Sequence, residues 1–103
     1  MNMGKYVFAY RGGSMSSTDA EREAAMAAWG AWFGKLGSAI VDPGNPFAGS
    51  STVGPNGSSE SALTGYTVVN ADSLDAASGL VDGCPVLGQG GSVDVYETVE
   101  VSL

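Results

Sequence analysis

TDAEREAAMAAWGAWFGKLG, residues 18–37, is the stretch that decides the fold. Thr18-Asp19-Ala20-Glu21 fits a capping box: a hydroxyl caps a free backbone N–H, and the glutamate three residues on reaches back. Asp19, Glu21 and Glu23 set negative charge at the positive end of the helix dipole. Gly37 supplies a residue that takes the left-handed conformation past a helix end. Between these marks Met26, Trp29, Phe33 and Leu36 follow 3,4,3 spacing, which stacks them on one face. That stripe is the expected core face, with Trp32 on its flank. Gly30, Gly34 and Gly37 form a bare strip on the other flank. An interior glycine costs about 1 kcal/mol of helix propensity against alanine. The strip therefore predicts close approach by another backbone, a second packed helix.

Strand signals flank this helix. In residues 5–11, alternation places Tyr6, Phe8 and Tyr10 on one side and Val7, Ala9 and Arg11 on the other. Gly12-Gly13-Ser14 breaks the strand, and residues 12–17 lead into the capping box. After the helix, residues 38–42 read as a short strand. Residues 42–61 are dense in Gly, Pro, Asn and Ser and form turns. So long a structureless loop is uncommon in a compact domain. A short strand is expected over residues 51–54, with a turn at Pro55-Asn56-Gly57 and Phe47 tucked against the body. Residues 64–71 form the next strand, with Tyr66 and Val68 on one face and Thr67 and Val69 on the other. Asp72 or Ser73 caps a second helix. Leu74, Ala77 and Val81 make its apolar face, and Gly83 and Pro85 end it. Residues 86–92 are a Gly-rich connection, and residues 93–101 alternate as the last strand.

The order β-α-β-β-α-β is the ferredoxin-like, split βαβ arrangement of the α+β class. Right-handed crossovers put both helices on one face of a four-stranded antiparallel sheet. A single domain over residues 1–103 is expected. Val7, Ala9, Thr67, Val69, Val93 and Val95 suit the helix side. The opposite face then carries Tyr6, Phe8, Tyr10, Tyr66, Val68 and Tyr96. An exposed sheet face is normally polar, and an aromatic patch of this size is a liability in a monomer. A second copy packed sheet against sheet would cover it. Tyrosines suit the enclosed space because the ring packs while the hydroxyl reaches water or ligand.

Composition excludes several functions. Net charge is −7, with only four Lys and Arg, so no basic footprint exists for nucleic acid or for an anionic membrane. Histidine is absent and Cys84 is the only cysteine. A transition-metal site lacks ligands, and a Ser-His-Asp or Cys-His arrangement lacks its base. No cofactor is expected. One thiol makes no internal disulfide, which fits a reducing cytoplasm. No run approaches the roughly 20 apolar residues of a membrane span, and residues 1–10 lack a signal peptide's apolar core.

YVFAYRGG, MAAWGAWFGKLGSAIVDPGNPF and GYTVVNADSLDAASGLVDGCPVLGQGGSVDVYE together resemble the YCII-related proteins, in particular their DGPF branch. The likeness spans almost the whole chain. Its most specific parts are Ala71-Asp72-Ser73-Leu74-Asp75-Ala76 and the segment from Cys84-Pro85 into Gly91-Ser92-Val93-Asp94-Val95. It implies a ferredoxin-like fold paired as a dimeric α+β barrel. In the YCII branch it implies a His/Asp pair and, for one member, dehydrochlorination of a chlorinated hydroquinone. Here the histidine position falls near Ala25 or Met26 and the aspartate at Cys84, so the pair is missing. The Asp-Gly-Pro-Phe of the branch name is replaced by Pro55-Asn56-Gly57-Ser58-Ser59. DGPF relatives resemble proteins encoded beside bacterial extracytoplasmic-function sigma factors, which implies regulation.

The candidate pocket residues are Tyr6, Arg11, Trp32, Asn45, Tyr66 and Cys84. Arg11 ends a strand beside Gly12-Gly13, where a carboxylate could be clamped; an exposed or salt-bridged arginine is the plainer alternative. Trp32 stacks on a ligand or covers a core edge. Asn45 points into the pocket or serves its turn. Cys84 follows a helix C-terminus, which does not lower a thiol's pKa, so a buried structural role suits it better. Gly88, Gly90 and Gly91 lack the lysine and the strand-to-helix context of a phosphate loop. Asp72 and Asp75 serve as caps. The favoured expectation is a homodimeric small-molecule-binding or regulatory protein without catalysis. The alternative is a small cofactor-independent enzyme, lyase or dehydrochlorinase-like, acting on an aromatic or enol-like substrate through tyrosine hydroxyls and Arg11.

Overall fold

The long helix starts where its capping signal lies. In α1 (Asp19–Leu36) the Thr18 hydroxyl accepts a hydrogen bond from Glu21 N at 3.1 Å. Gly37, at φ 56°, ends the helix and donates its N–H to the Phe33 carbonyl. The computed structural model describes residues 4–12, 18–55 and 63–101. The connection at 13–17 and the Asn56-Gly57 turn lie outside the described residues.

The protein is α+β. β1 (Gly4–Arg11), β2 (Ile40–Asp42), β3 (Leu63–Ala71) and β4 (Ser92–Glu97) form one antiparallel sheet in the order β2-β3-β1-β4. Two further helices, α2 (Leu74–Gly79) and α3 (Pro85–Gly88), join α1. The second helix is thus shorter than its apolar pattern suggested, and a third stands in the stretch expected to be a connection. Proline at the first position of α3 starts it, because its fixed φ suits a helix start and its missing N–H costs nothing there. A 3-10 turn (Gly37–Ala39) takes the first half of the expected second strand. No strand forms at residues 51–54, and β4 stops at Glu97 rather than at residue 101.

Register decides which face is which, and it reverses the expectation for β1. Tyr6 pairs with Val69, Phe8 with Thr67 and Tyr10 with Gly65 across β3. On the β4 side Tyr6 pairs with Glu97, Phe8 with Val95 and Tyr10 with Val93. Paired residues share a face. Tyr6, Phe8 and Tyr10 therefore join Thr67, Val69, Val93 and Val95 under the helices, and Phe8, Thr67 and Val69 are fully buried. Val7 and Ala9 point the other way. The physical reason is the strand order. β1 lies in the middle, so its large rings fit between the smaller residues of both neighbours. Gly65 makes the room, with Tyr10 Cδ2 only 3.5 Å from where a Cβ would sit.

The helix stripe shifts in the same way. Trp32 and Leu36 are the buried residues of α1, Trp29 and Phe33 are partly buried, and Met26 is 74% exposed. The Trp32 indole N–H donates to the Leu80 carbonyl at 3.1 Å, a partner that a buried indole needs. Trp29, Trp32, Phe33, Phe8 and Tyr10 form a continuous set of ring contacts at centroid distances of 5.1–6.4 Å. Ala77 of α2 and Val86 of α3 complete one core. A Cβ at Gly30 or Gly34 would meet nothing within 4 Å, so among the described residues no second helix packs on that strip. The molecule is 21 Å through its thinnest direction, about one sheet layer and one helix layer.

A buried relay ties the β2–β3 connection to the central strand. The Tyr10 hydroxyl donates to Thr67 Oγ1 at 2.6 Å, and the Thr67 hydroxyl donates to the Pro43 carbonyl at 2.8 Å. Burial pushes the Tyr10 phenol well above its ordinary 10.0, against a smaller lowering from Thr67. Burial also raises Cys84 from its ordinary 9.0, and burial followed by Glu97 raises Tyr6. In each case the folded state holds its proton more tightly than the unfolded chain. Their contribution is complete below the unfolded values, from about pH 9 for the thiol and pH 10 for the phenols, and is lost as pH rises through the folded values. Unfolding free energy should fall above about pH 9, by at most about 1.4 kcal/mol per pH unit for each of Cys84 and Tyr10. Tyr10→Phe should cost about 1 kcal/mol at pH 7 for the lost hydrogen bond and flatten the alkaline decline. Urea titrations at pH 7 to 11 check both; an unchanged alkaline slope in the variant would contradict the buried phenol.

Candidate functional site: the open sheet face

The sheet face away from the helices carries a different pattern. Along its middle strand run the small residues Val7 and Ala9. Val7 lies between Val68 and Tyr96, and Ala9 between Tyr66 and Asp94. Large centre and small flanks on the helix side become small centre and tall flanks here. The flanks therefore rise on either side of β1, where Ala9 is buried. Tyr66 and Val68 form one flank; Asp94 and Tyr96 form the other. Tyr96 is 52% exposed.

Each flank is braced. Phe47 stacks on Tyr66 with centroids 5.7 Å apart and planes 21° apart. The Phe47 N–H donates to the Thr64 carbonyl at 2.9 Å, and Pro46 bridges to Gly65, so the loop after β2 is pinned through Phe47 as the sequence suggested. The Tyr66 hydroxyl lies 3.5 Å from Asp42 Oδ2. Gly44 lets this loop run close along the edge of β3. Its φ is 77°, and a Cβ there would lie 1.7 Å from the Tyr66 carbonyl oxygen. At one end of the face Arg11 Nε donates to Asp94 Oδ2 at 2.5 Å. Asp94 first, and then the Tyr96 hydroxyl, hold the guanidinium more firmly in its charged form.

Of the six residues the sequence singled out, Arg11 and Tyr66 stand on this face. Asn45 lies in the adjoining loop, exposed, with its carbonyl 3.1 Å from the Gly65 Cβ position. Tyr6, Trp32 and Cys84 are buried in the core on the opposite side of the sheet. Trp32 covers the core edge, and the Tyr6 hydroxyl donates to Glu97 Oε2 at 3.1 Å. Cys84 precedes α3 and is 3% exposed. The six therefore do not converge. Sequence reasoning left out Asp42, Phe47, Asp94 and Tyr96 as site residues. The alternation of residues 93–97 did set Asp94 and Tyr96 opposite the valines; the missing element was the register that joins them to Arg11.

No protein-family model matches the chain, and no curated relative matches it in sequence. Chemistry has to be argued from the face itself. On this face Asp94 and then Tyr96 hold Arg11 in its charged form, whereas a general acid or base works best when it changes protonation near the operating pH. Among the described residues no three of Cys, Asp and Glu gather as they would around a metal ion. No helix among them is long and apolar enough to cross a membrane. The face offers apolar side chains, aromatic rings, hydroxyls and one anchored guanidinium.

Proposed function

We propose that the protein is a homodimer that packs sheet against sheet and binds a small molecule in the tyrosine-lined space between its open faces, in a binding or regulatory role without catalysis. The observation that carries this is the sheet face of Val7, Val68, Tyr66 and Tyr96 opposite the helix side, on which, among the described residues, Tyr96 is exposed and the other three are partly exposed. The strand order β2-β3-β1-β4, with the helices packed into one core, supports a ferredoxin-like fold. Pairing two such faces would give the dimeric α+β barrel of the YCII-related and DGPF proteins, whose likeness to this chain rests on the motifs quoted above. A cytoplasmic location fits the lone buried thiol.

One observation favours a second reading. The Tyr66 hydroxyl beside Asp42 and the Arg11–Asp94 pair put a phenol and a cation on one face, the groups a cofactor-independent lyase acting on an enol-like or aromatic substrate would use without histidine.

Sedimentation at micromolar concentration should give a dimer. Val68→Asp should weaken it at least about tenfold, equivalent to about 1.4 kcal/mol, because the carboxylate would be buried without a partner. A panel of phenols and quinones should give saturable increases in melting temperature without turnover. A monomer at these concentrations would remove the dimer, and turnover of a panel member would favour the lyase.

A further inference from the structure

Charge is spread unevenly over the molecule. The chain has eleven carboxylate side chains against four cations. Two of those cations, Lys5 and Arg11, stand near the two ends of β1 on the side of Val7 and Ala9, the open face. Asp94 and Asp42 share that face, paired with Ala9 and Val68. Among the described strand residues the open face is therefore balanced, two cations with two carboxylates. The rest of the chain carries the whole excess, nine carboxylates against two cations. Elsewhere a second copy would bring net negative charge against net negative charge. On the open face it would not.

One cation on this face lacks a carboxylate. Arg11 holds Asp94, Arg22 holds Asp19 and Lys35 holds Asp82. Lys5 is exposed and makes no ion pair among the described residues. It lies two residues from Val7 towards one end of the face, level with Asn70. Asp94 lies the same distance towards the other end, level with Ala9. A twofold axis laid across the strands through Val68, Val7 and Tyr96 sets that row on its own copy. It also carries Lys5 of one copy to the level of Asp94 in the other, about 5 Å to the side. Facing sheets pack about 10 Å apart, a gap that a lysine and an aspartate side chain together span. A twofold axis along β1 would instead set Lys5 on Lys5 and Arg11 on Arg11, like charge on like. Asp94 can take a second donor beside Arg11, since a carboxylate accepts several and its side chain is 37% exposed.

We propose that Lys5 of each copy pairs with Asp94 of the other, twice about the twofold axis, and so fixes the direction in which the two sheets face each other. It rests on the sheet-to-sheet dimer proposed above and adds its orientation and its polar contact. The test is sedimentation equilibrium of the full chain with Lys5→Glu, Asp94→Asn, the two combined, and Val68→Asp. Lys5 is exposed and asparagine keeps an oxygen for Arg11, so circular dichroism should remain unchanged. Lys5→Glu should raise the dimer dissociation constant at least about tenfold, because two attractive contacts become repulsive. In the Asp94→Asn background the same substitution should raise it at least about threefold less, since paired groups couple. An equal penalty in both backgrounds overturns the pairing of Lys5 with Asp94. A dimer broken by Val68→Asp but indifferent to Lys5→Glu also overturns it and leaves the sheet-face dimer standing. A wild-type monomer overturns both.

Discussion

Trp32→Ala should remove about 3–5 kcal/mol of stability, the usual cost of truncating a buried tryptophan. For a domain of this size about 4–8 °C accompanies each kcal/mol, so the melting temperature should fall by about 20 °C. The total stability of such a domain is about 5–15 kcal/mol, and the variant would therefore sit close to unfolding at physiological temperature. The effect is large because Trp32 has three roles. It is 3% exposed, its ring meets Phe8, Tyr10, Trp29 and Phe33, and its N–H satisfies the Leu80 carbonyl that links α1 to the turn after α2. Met26→Ala is the matched comparison. Met26 belongs to the stripe that spacing alone selects, but it is exposed, so its loss should change stability by no more than about 0.5 kcal/mol. Thermal melts of the two variants discriminate the stripes directly; equal losses would mean that α1 is rotated from the orientation described.

Gly44→Ala should be the second most damaging change, although it adds only a methyl group. The left-handed backbone costs an alanine about 1–2 kcal/mol. The added Cβ would also stand 1.7 Å from the Tyr66 carbonyl oxygen, an overlap that neither backbone can absorb in place. The loop has to lift from β3, loosening the Gly44 N–H to Asp42 bond and the Thr67 to Pro43 bond. A loss of at least about 2 kcal/mol is expected from strain and broken bonds together. Gly30→Ala is the control: nothing stands within 4 Å of its Cβ position, and α1 should gain up to about 1 kcal/mol of helix propensity. Urea denaturation of both variants should move the midpoints in opposite directions. A wild-type midpoint for Gly44→Ala would show that the loop does not approach Tyr66 so closely. Because Tyr66 stands on the open face, the same variant should also weaken any ligand that raises the wild-type melting temperature.

The ends of α1 were legible in the sequence because capping is local chemistry. Thr18 and Glu21 lie three residues apart, and that separation already places hydroxyl and N–H within reach. Strand existence was legible for the same reason, since alternation in residues 5–11 and 64–71 is a property of a single strand. The Ser73 cap of α2 also follows from near neighbours. The antiparallel α+β sheet came from the order of these local elements. Cys84 was read as a buried thiol from its place after a helix C-terminus; it is buried, but it stands as the cap before a third helix.

What the sequence by itself determined, then, is where the longer strands and the first two helices lie and where those helices begin, though not α3 or the short 3-10 turn, and that the chain lacks histidine and has only four Lys and Arg. Only the tertiary structure decided which side of each segment faces inward. Alternation offers two faces that are chemically similar in β1, tyrosines and phenylalanine on one and valine and alanine on the other. Neither is polar enough to declare itself exposed. The choice depends on neighbours distant in sequence: Gly65 opposite Tyr10, and Val69 and Glu97 flanking Tyr6. The two stripes of α1 share Trp29, Phe33 and Leu36, and Trp32 rather than Met26 joins them, its N–H meeting a carbonyl 48 residues away, at Leu80. Because a one-residue change of register exchanges the faces of a strand, the same non-local contacts sent Tyr6 into the core and brought Arg11, Asp94 and Tyr96 together on the open face.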